Sequence, residues 1–77
     1  MKLNNLNGNQ AEVVLGNKTV LFSYQTAVAY YDADSARFYR TSKKWSKTTS
    51  KHVNQWLNGS YSEEIEQEKL DSLAASI

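Results

Sequence analysis

Cations and hydroxyls alternate closely between residues 37 and 52. Arg37, Arg40, Lys43, Lys44, Lys47 and Lys51 are interleaved with Thr41, Ser42, Ser46, Thr48, Thr49 and Ser50, and Phe38, Tyr39 and Trp45 lie among them. The mixture suits phosphate: cations attract it, while hydroxyls and backbone N–H groups give short directional bonds. Aromatic rings add stacking on bases that are not paired. The candidate nucleic-acid-binding set is therefore Tyr39, Arg40, Lys43, Lys44, Trp45, Lys47 and Lys51. A competing reading makes the lysines a solvated loop that blunts a sheet edge against aggregation. On a strand Arg37 and Arg40 point to opposite faces, so the six cations cannot all share one patch. The whole-chain pI of about 8.0 also lies below the value above 9 that marks a dedicated nucleic-acid-binding domain.

Other residues that could carry chemistry are few. His52 is the single histidine and there is no cysteine. A catalytic base needs a nucleophile and an orienting group beside it, and no such arrangement can be read here. One turn before Trp56 on a helix, His52 reads as a packed or hydrogen-bonding residue. Catalytic residues, metal ligands and cofactors are all expected to be none, and the chain reads as non-enzymatic. Zinc lacks its usual ligands, and Asp32-x-Asp34-Ser35 lacks the glycine and bidentate glutamate of a calcium loop, so a turn is preferred. Thr48-Thr49-Ser50 either caps a helix or ligates a phosphate at its start. Trp45 is either a staple onto the core or an exposed anchor. Tyr31 and Tyr39 stand on the face opposite the expected core and are candidates for contact.

Net charge is +1 over 77 residues, but it is strongly polarised along the chain. Residues 1–36 sum to −1, residues 37–52 to +6 and residues 53–77 to −4. Such asymmetry bears on partners rather than on fold. The acidic run Glu63-Glu64-x-Glu66-x-Glu68 is a solvated face, a mimic of phosphates, a dock for a basic partner, or a counterweight to the basic stretch.

The elements that must position these groups follow from periodicity. Asn7-Gly8 and Gly16-Asn17 are hairpin turns flanking Glu12-Val13-Val14-Leu15. From Thr19 to Tyr31 the set Val20, Phe22, Tyr24, Val28 and Tyr30 alternates with smaller, more polar residues, which predicts one long strand with a bend or bulge near Gln25-Thr26. Asp32 to Ala36 is a turn, and Arg37 to Thr41 is a returning strand. Val53, Trp56 and Leu57 then recur at helical spacing, with Thr48 or Thr49 as the cap and Asn58-Gly59 as the stop. A second helix is predicted from Glu63 to about Ala75, capped by Ser62, with a weaker apolar stripe.

These elements predict one small α+β domain over residues 1–77. An antiparallel sheet of three to four strands packs on one helix within residues 1–60, and residues 61–77 form an acidic helix or tail. The expected core is Val20, Phe22, Val28, Tyr30, Val53, Trp56 and Leu57. A chain this short buries roughly 60% of its unfolded surface, so a homo-oligomer is a reasonable expectation. No stretch approaches the roughly 18 apolar residues of a membrane span, and the N-terminus shows no signal-peptide run. No membrane association and a cytoplasmic location are expected.

The strings from Phe22 to Tyr31 and from Tyr39 to His52 carry a resemblance. The second string, rich in serine, threonine and lysine from Thr41 to His52, is the more specific. Together they resemble a family of small uncharacterised bacteriophage proteins. The resemblance implies a viral origin and action in the cytoplasm of a host cell; it brings no activity and no site residues. The function expected is a small accessory protein that binds nucleic acid. The alternatives are a protein-binding module acting on a host protein and a homo-oligomeric structural or assembly protein.

Overall fold

The computed structural model describes residues 2–6 and 9–75, with the backbone alone at Lys2. Among these residues six strands form one sheet in chain order. They are β1 (Lys2–Asn5), β2 (Gln10–Leu15), β3 (Lys18–Ser23), β4 (Thr26–Asp32), β5 (Arg37–Thr41) and β6 (Ser62–Ile65). The first five make an antiparallel meander, whereas β6 pairs with β5 in parallel, Phe38 facing Ser62 and Thr41 facing Ile65. Helix α1 (Lys47–Leu57) is the crossover that a parallel pair requires. Helix α2 (Gln67–Ala74) follows β6.

The sheet is therefore larger than the three to four strands expected, it is mixed rather than wholly antiparallel, and helices cover both of its faces. The class remains α+β. Three local readings fail with that count. Thr19 to Tyr31 is not one long strand but a hairpin, β3 and β4, turning at Tyr24 and Gln25. Ser62 caps no helix; it begins β6, and the last helix starts at Gln67, not at Glu63. Two glutamates are poor strand formers, and only pairing with β5 makes Glu63 and Glu64 extended. The expected Asn7-Gly8 turn lies outside the described residues.

Helical cover on both faces explains a sheet interior apolar on each side. Leu21, Val28 and Ala29 meet Val53 and Leu57 of α1, with Phe38 and Trp56 packed against them. On the other face Val20 and Ala27 enclose Leu70 of α2, beside Phe22, Tyr30 and Ile65. Leu21 and Leu70 are both fully buried, although neither belonged to the expected core. Phe22, Tyr30 and Trp56 did, and they are only half-buried. A register shift passes over Val28, since Leu21 pairs with Ala29 and Phe22 with Ala27. This bulge lets Val28 join the α1 side while Ala27 turns to α2.

Turn chemistry closes the end of the sheet away from the helix starts. Gly16 takes φ +60° in the two-residue turn between β2 and β3. Asn17 Nδ2 donates to Asp32 Oδ1 at 3.5 Å and also to Asp34 Oδ2. Asp34 N–H donates to Asp32 Oδ1 at 3.0 Å. The two aspartates are thus engaged in the turn that their types suggest.

Candidate nucleic-acid interface

Because β5 and β6 run parallel, both helices begin at the same end of the sheet. The loop after β5 carries the chain to α1 on one face, while that after β6 carries it to α2 on the other. Ser42 N–H donates to the Ile65 carbonyl at 2.8 Å and ties the loop after β5 to the end of β6. Lys43, Lys44 and Trp45 follow on one side of that bond, Glu66 and Gln67 on the other.

Trp45 joins the loop before α1 to the start of α2. Its Nε1–H donates to Gln67 Oε1 at 3.2 Å. Gln67 is itself held, its Nε2 donating to the Ala27 carbonyl at 2.7 Å and to Asp71 Oδ1 at 2.9 Å. The indole keeps 37% of its surface exposed, and Lys43 Nζ lies 4.2 Å from the ring centroid. A cation at that distance is attracted by the ring face. Trp45 is thus exposed and tied by its Nε1–H to α2; it belongs to neither core cluster, so the staple onto the core is not what holds it.

Helix α1 starts at Ser46, whose Oγ accepts from Thr49 N–H at 3.3 Å. Neither Thr48 nor Thr49 is the cap. Thr49 is instead buried, and its hydroxyl lies 3.1 Å from Ser23 Oγ and 3.4 Å from Ser46 Oγ. Ser23 Oγ in turn is 2.9 Å from His52 Nδ1. One chain of hydrogen bonds therefore runs Ser46–Thr49–Ser23–His52, binding the start of α1 to the end of β3. Ser23 is 2% exposed, so its hydroxyl lies inside the packed junction between β3 and α1. The other end of α1 is as expected: Asn58 takes φ +50° and Gly59 φ +81°, the left-handed geometry that stops a helix.

Charge within the loop and the first turn of α1 is of one sign. Lys43, Lys44, Lys47 and Lys51 are all exposed, and the first turn of α1 holds no acid. Among the described residues the ion pair present is Arg37 with Glu63, at 3.2 Å. The acidic segment thus engages the arginine that opens β5. The lysines follow the other end of that strand, about 13 Å away at strand spacing. Arg40 lies on the α1 face and donates to Asn54 Oδ1 at 3.1 Å. Tyr39 lies on the opposite face, stacked on Tyr30 with centroids 4.7 Å apart. Tyr31 is not beside it but on the α1 face, against Phe38 at 4.6 Å.

Of the seven residues singled out, Lys43, Lys44, Trp45, Lys47 and Lys51 are exposed in the loop before α1 and along its first turns, while Tyr39 and Arg40 are engaged elsewhere, with Tyr30 and Asn54. Tyr24 and Gln67 were missed. Tyr24 occupies the tip between β3 and β4, 51% exposed, with its ring centroid 6.0 Å from that of His52. No sequence signal marks it, because Tyr-Gln is not a turn dipeptide.

Two further hollows lie elsewhere. An open one of about 630 Å³ sits against the Arg37–Glu63 pair and Tyr61. A shallower one of about 330 Å³ runs from Leu3 over Ala11, Val13 and Phe22 to Tyr24 and Gln25. Among the described residues no three His, Cys, Asp or Glu side chains group as metal ligands. No described helix is long and apolar enough to cross a membrane.

One protein-family model matches, over residues 1–72: a family of unknown function, DUF8033. The chain belongs to that family. No curated protein and no solved structure matches it.

Proposed function

We propose that this chain is a small non-enzymatic protein that binds nucleic acid at the start of α1, with Lys43, Lys44, Lys47 and Lys51 on phosphates and Trp45 on a base. One observation carries the reading. Cations surround the positive end of a helix dipole, with no acid in its first turn, where an acid would be the stabilising choice. Lys47 and Lys51 also stand four residues apart on the helix, a repulsive spacing for like charges. Local rules broken together in this way mark a site held for function. A bound phosphate answers both penalties, and the unpaired amides of the first turn add donors to it.

Fluorescence anisotropy with labelled oligonucleotides at rising salt tests the reading. Three or four neutralised phosphates give log K a slope of roughly −2 to −4 against log[salt]. Failure to bind at low salt, or binding that salt leaves unchanged, overturns it.

A second reading, a protein-binding module, draws on a different observation. Leu3 is 61% exposed on the edge strand β1, beside the apolar groove over Ala11, Val13 and Phe22. A protein bound there would resist salt and would be lost with Leu3→Asp, not with the lysines.

A further inference from the structure

We infer, resting on the reading above, that the nucleic acid is single-stranded and that Tyr24 is a second stacking platform beside Trp45. The starting point is a backbone outlier. Tyr24 holds φ +58° at the first central position of the turn joining Ser23 to Thr26. The turn joining Leu15 to Lys18 has the same two-residue length, and its first central residue is Gly16 at φ +60°. An aromatic L-residue is rare in that region, whereas glycine enters it freely. The cost is not recovered by burial, since half of the Tyr24 surface faces solvent. Strain kept at an exposed loop tip is a pointer to function.

Position supplies the rest. Tyr24 is tilted 37° to the His52 ring at 6.0 Å, which sets it against the second turn of α1. Trp45 immediately precedes the cap of the same helix, and Gln67 ties it to the backbone of Ala27, three residues beyond Tyr24. Two exposed rings, each held by a named contact, thus flank a helix start crowded with unpaired lysines. Single strands offer base faces to such rings and phosphates to such lysines. A duplex hides its base faces in the stack, so the rings would contribute nothing to it.

The test compares a labelled 12-nucleotide oligothymidine with a duplex of the same length, using the full chain at low salt. The single strand is expected to bind at least tenfold more tightly. Tyr24→Gly and Trp45→Ala should each weaken it by roughly 5- to 150-fold. Glycine accepts the positive φ of Tyr24, and a cooperative melting curve for Tyr24→Gly shows that its loss of binding is not loss of fold. Equal or tighter duplex binding, or an unchanged affinity in Tyr24→Gly, overturns this inference alone when lysine variants still weaken binding. No binding of either probe by folded protein overturns the reading beneath it as well. Salt-resistant binding that depends on Leu3 instead points to a protein partner and overturns both.

Discussion

Trp45 and Gln67, twenty-two positions apart in sequence, are joined by a 3.2 Å hydrogen bond that ties the basic loop to the first turn of α2. The loop before α1 is thereby anchored to the opposite face of the sheet. A lysine-rich loop without such an anchor would lose more conformational entropy on binding a ligand.

Gln67→Ala removes that anchor along with the bonds to Ala27 and Asp71. The expected result is a loss of about 0.5–1.5 kcal/mol, the net worth of one hydrogen bond, since only the Ala27 carbonyl is part-buried and the other two bonds are exposed. Trp45 emission should shift to longer wavelength; a Trp56→Phe background isolates the signal.

Ser23→Ala should cost about 1–3 kcal/mol by urea denaturation, since it strands Thr49 Oγ1 and His52 Nδ1 at a buried junction. Ser46→Ala, which removes the cap and the weaker link to Thr49 Oγ1, should cost about 1 kcal/mol. If the two variants interact in a double-mutant cycle, the Ser46–Thr49–Ser23–His52 chain acts as one unit.

Lys47→Glu separates stability from binding. Placing an acid in the first turn of α1 should stabilise the fold by about 0.3–1 kcal/mol at low salt, while nucleic-acid affinity falls. Lys47→Ala should lower the salt slope by about 1 and leave the melting temperature nearly unchanged.

Leu70→Ala should destabilise the domain by about 2–5 kcal/mol, because a fully buried leucine is truncated between Val20 and Ala27. A loss near zero would show that α2 contributes no core.

Alkaline pH should weaken the fold through Tyr30. Burial first, then the neighbouring Tyr39, Asp32 and Glu63, raises its pKa above the usual 10.0. The folded state thus holds the proton more tightly than the unfolded chain does. Its contribution is complete below pH 10 and is lost as pH climbs from there through the raised value. Denaturation midpoints for Tyr30→Phe between pH 9 and 11.5 should fall less steeply than those of the parent.

Much of this was legible from local pattern. Gly16, Asn58 and the Asp32–Ala36 segment announced turns and a helix stop, because positive φ and side-chain bonds to the backbone are local needs. Arg37 to Thr41 showed its alternation, and the i, i+3, i+4 spacing of Val53, Trp56 and Leu57 located α1. The basic stretch was visible too, although its sequence did not separate Tyr39 and Arg40 from the exposed residues Lys43, Lys44, Trp45, Lys47 and Lys51.

Other features had no local cause. Glu63 and Glu64 are extended only because β5 offers them a parallel edge. Leu70 is buried only because the meander leaves a second apolar face open. Tyr24 makes a turn against its own preference, because the pairing of Ser23 with Thr26 leaves only Tyr24 and Gln25 to reverse the chain. The order of residues determined that the chain is polarised in charge and, through its periodicities, that it folds as a small α+β domain. Tertiary structure alone decided which charges stay free: pairing across the sheet draws Glu63 to Arg37 at one end, and leaves the lysines at the other end facing solvent around the start of α1.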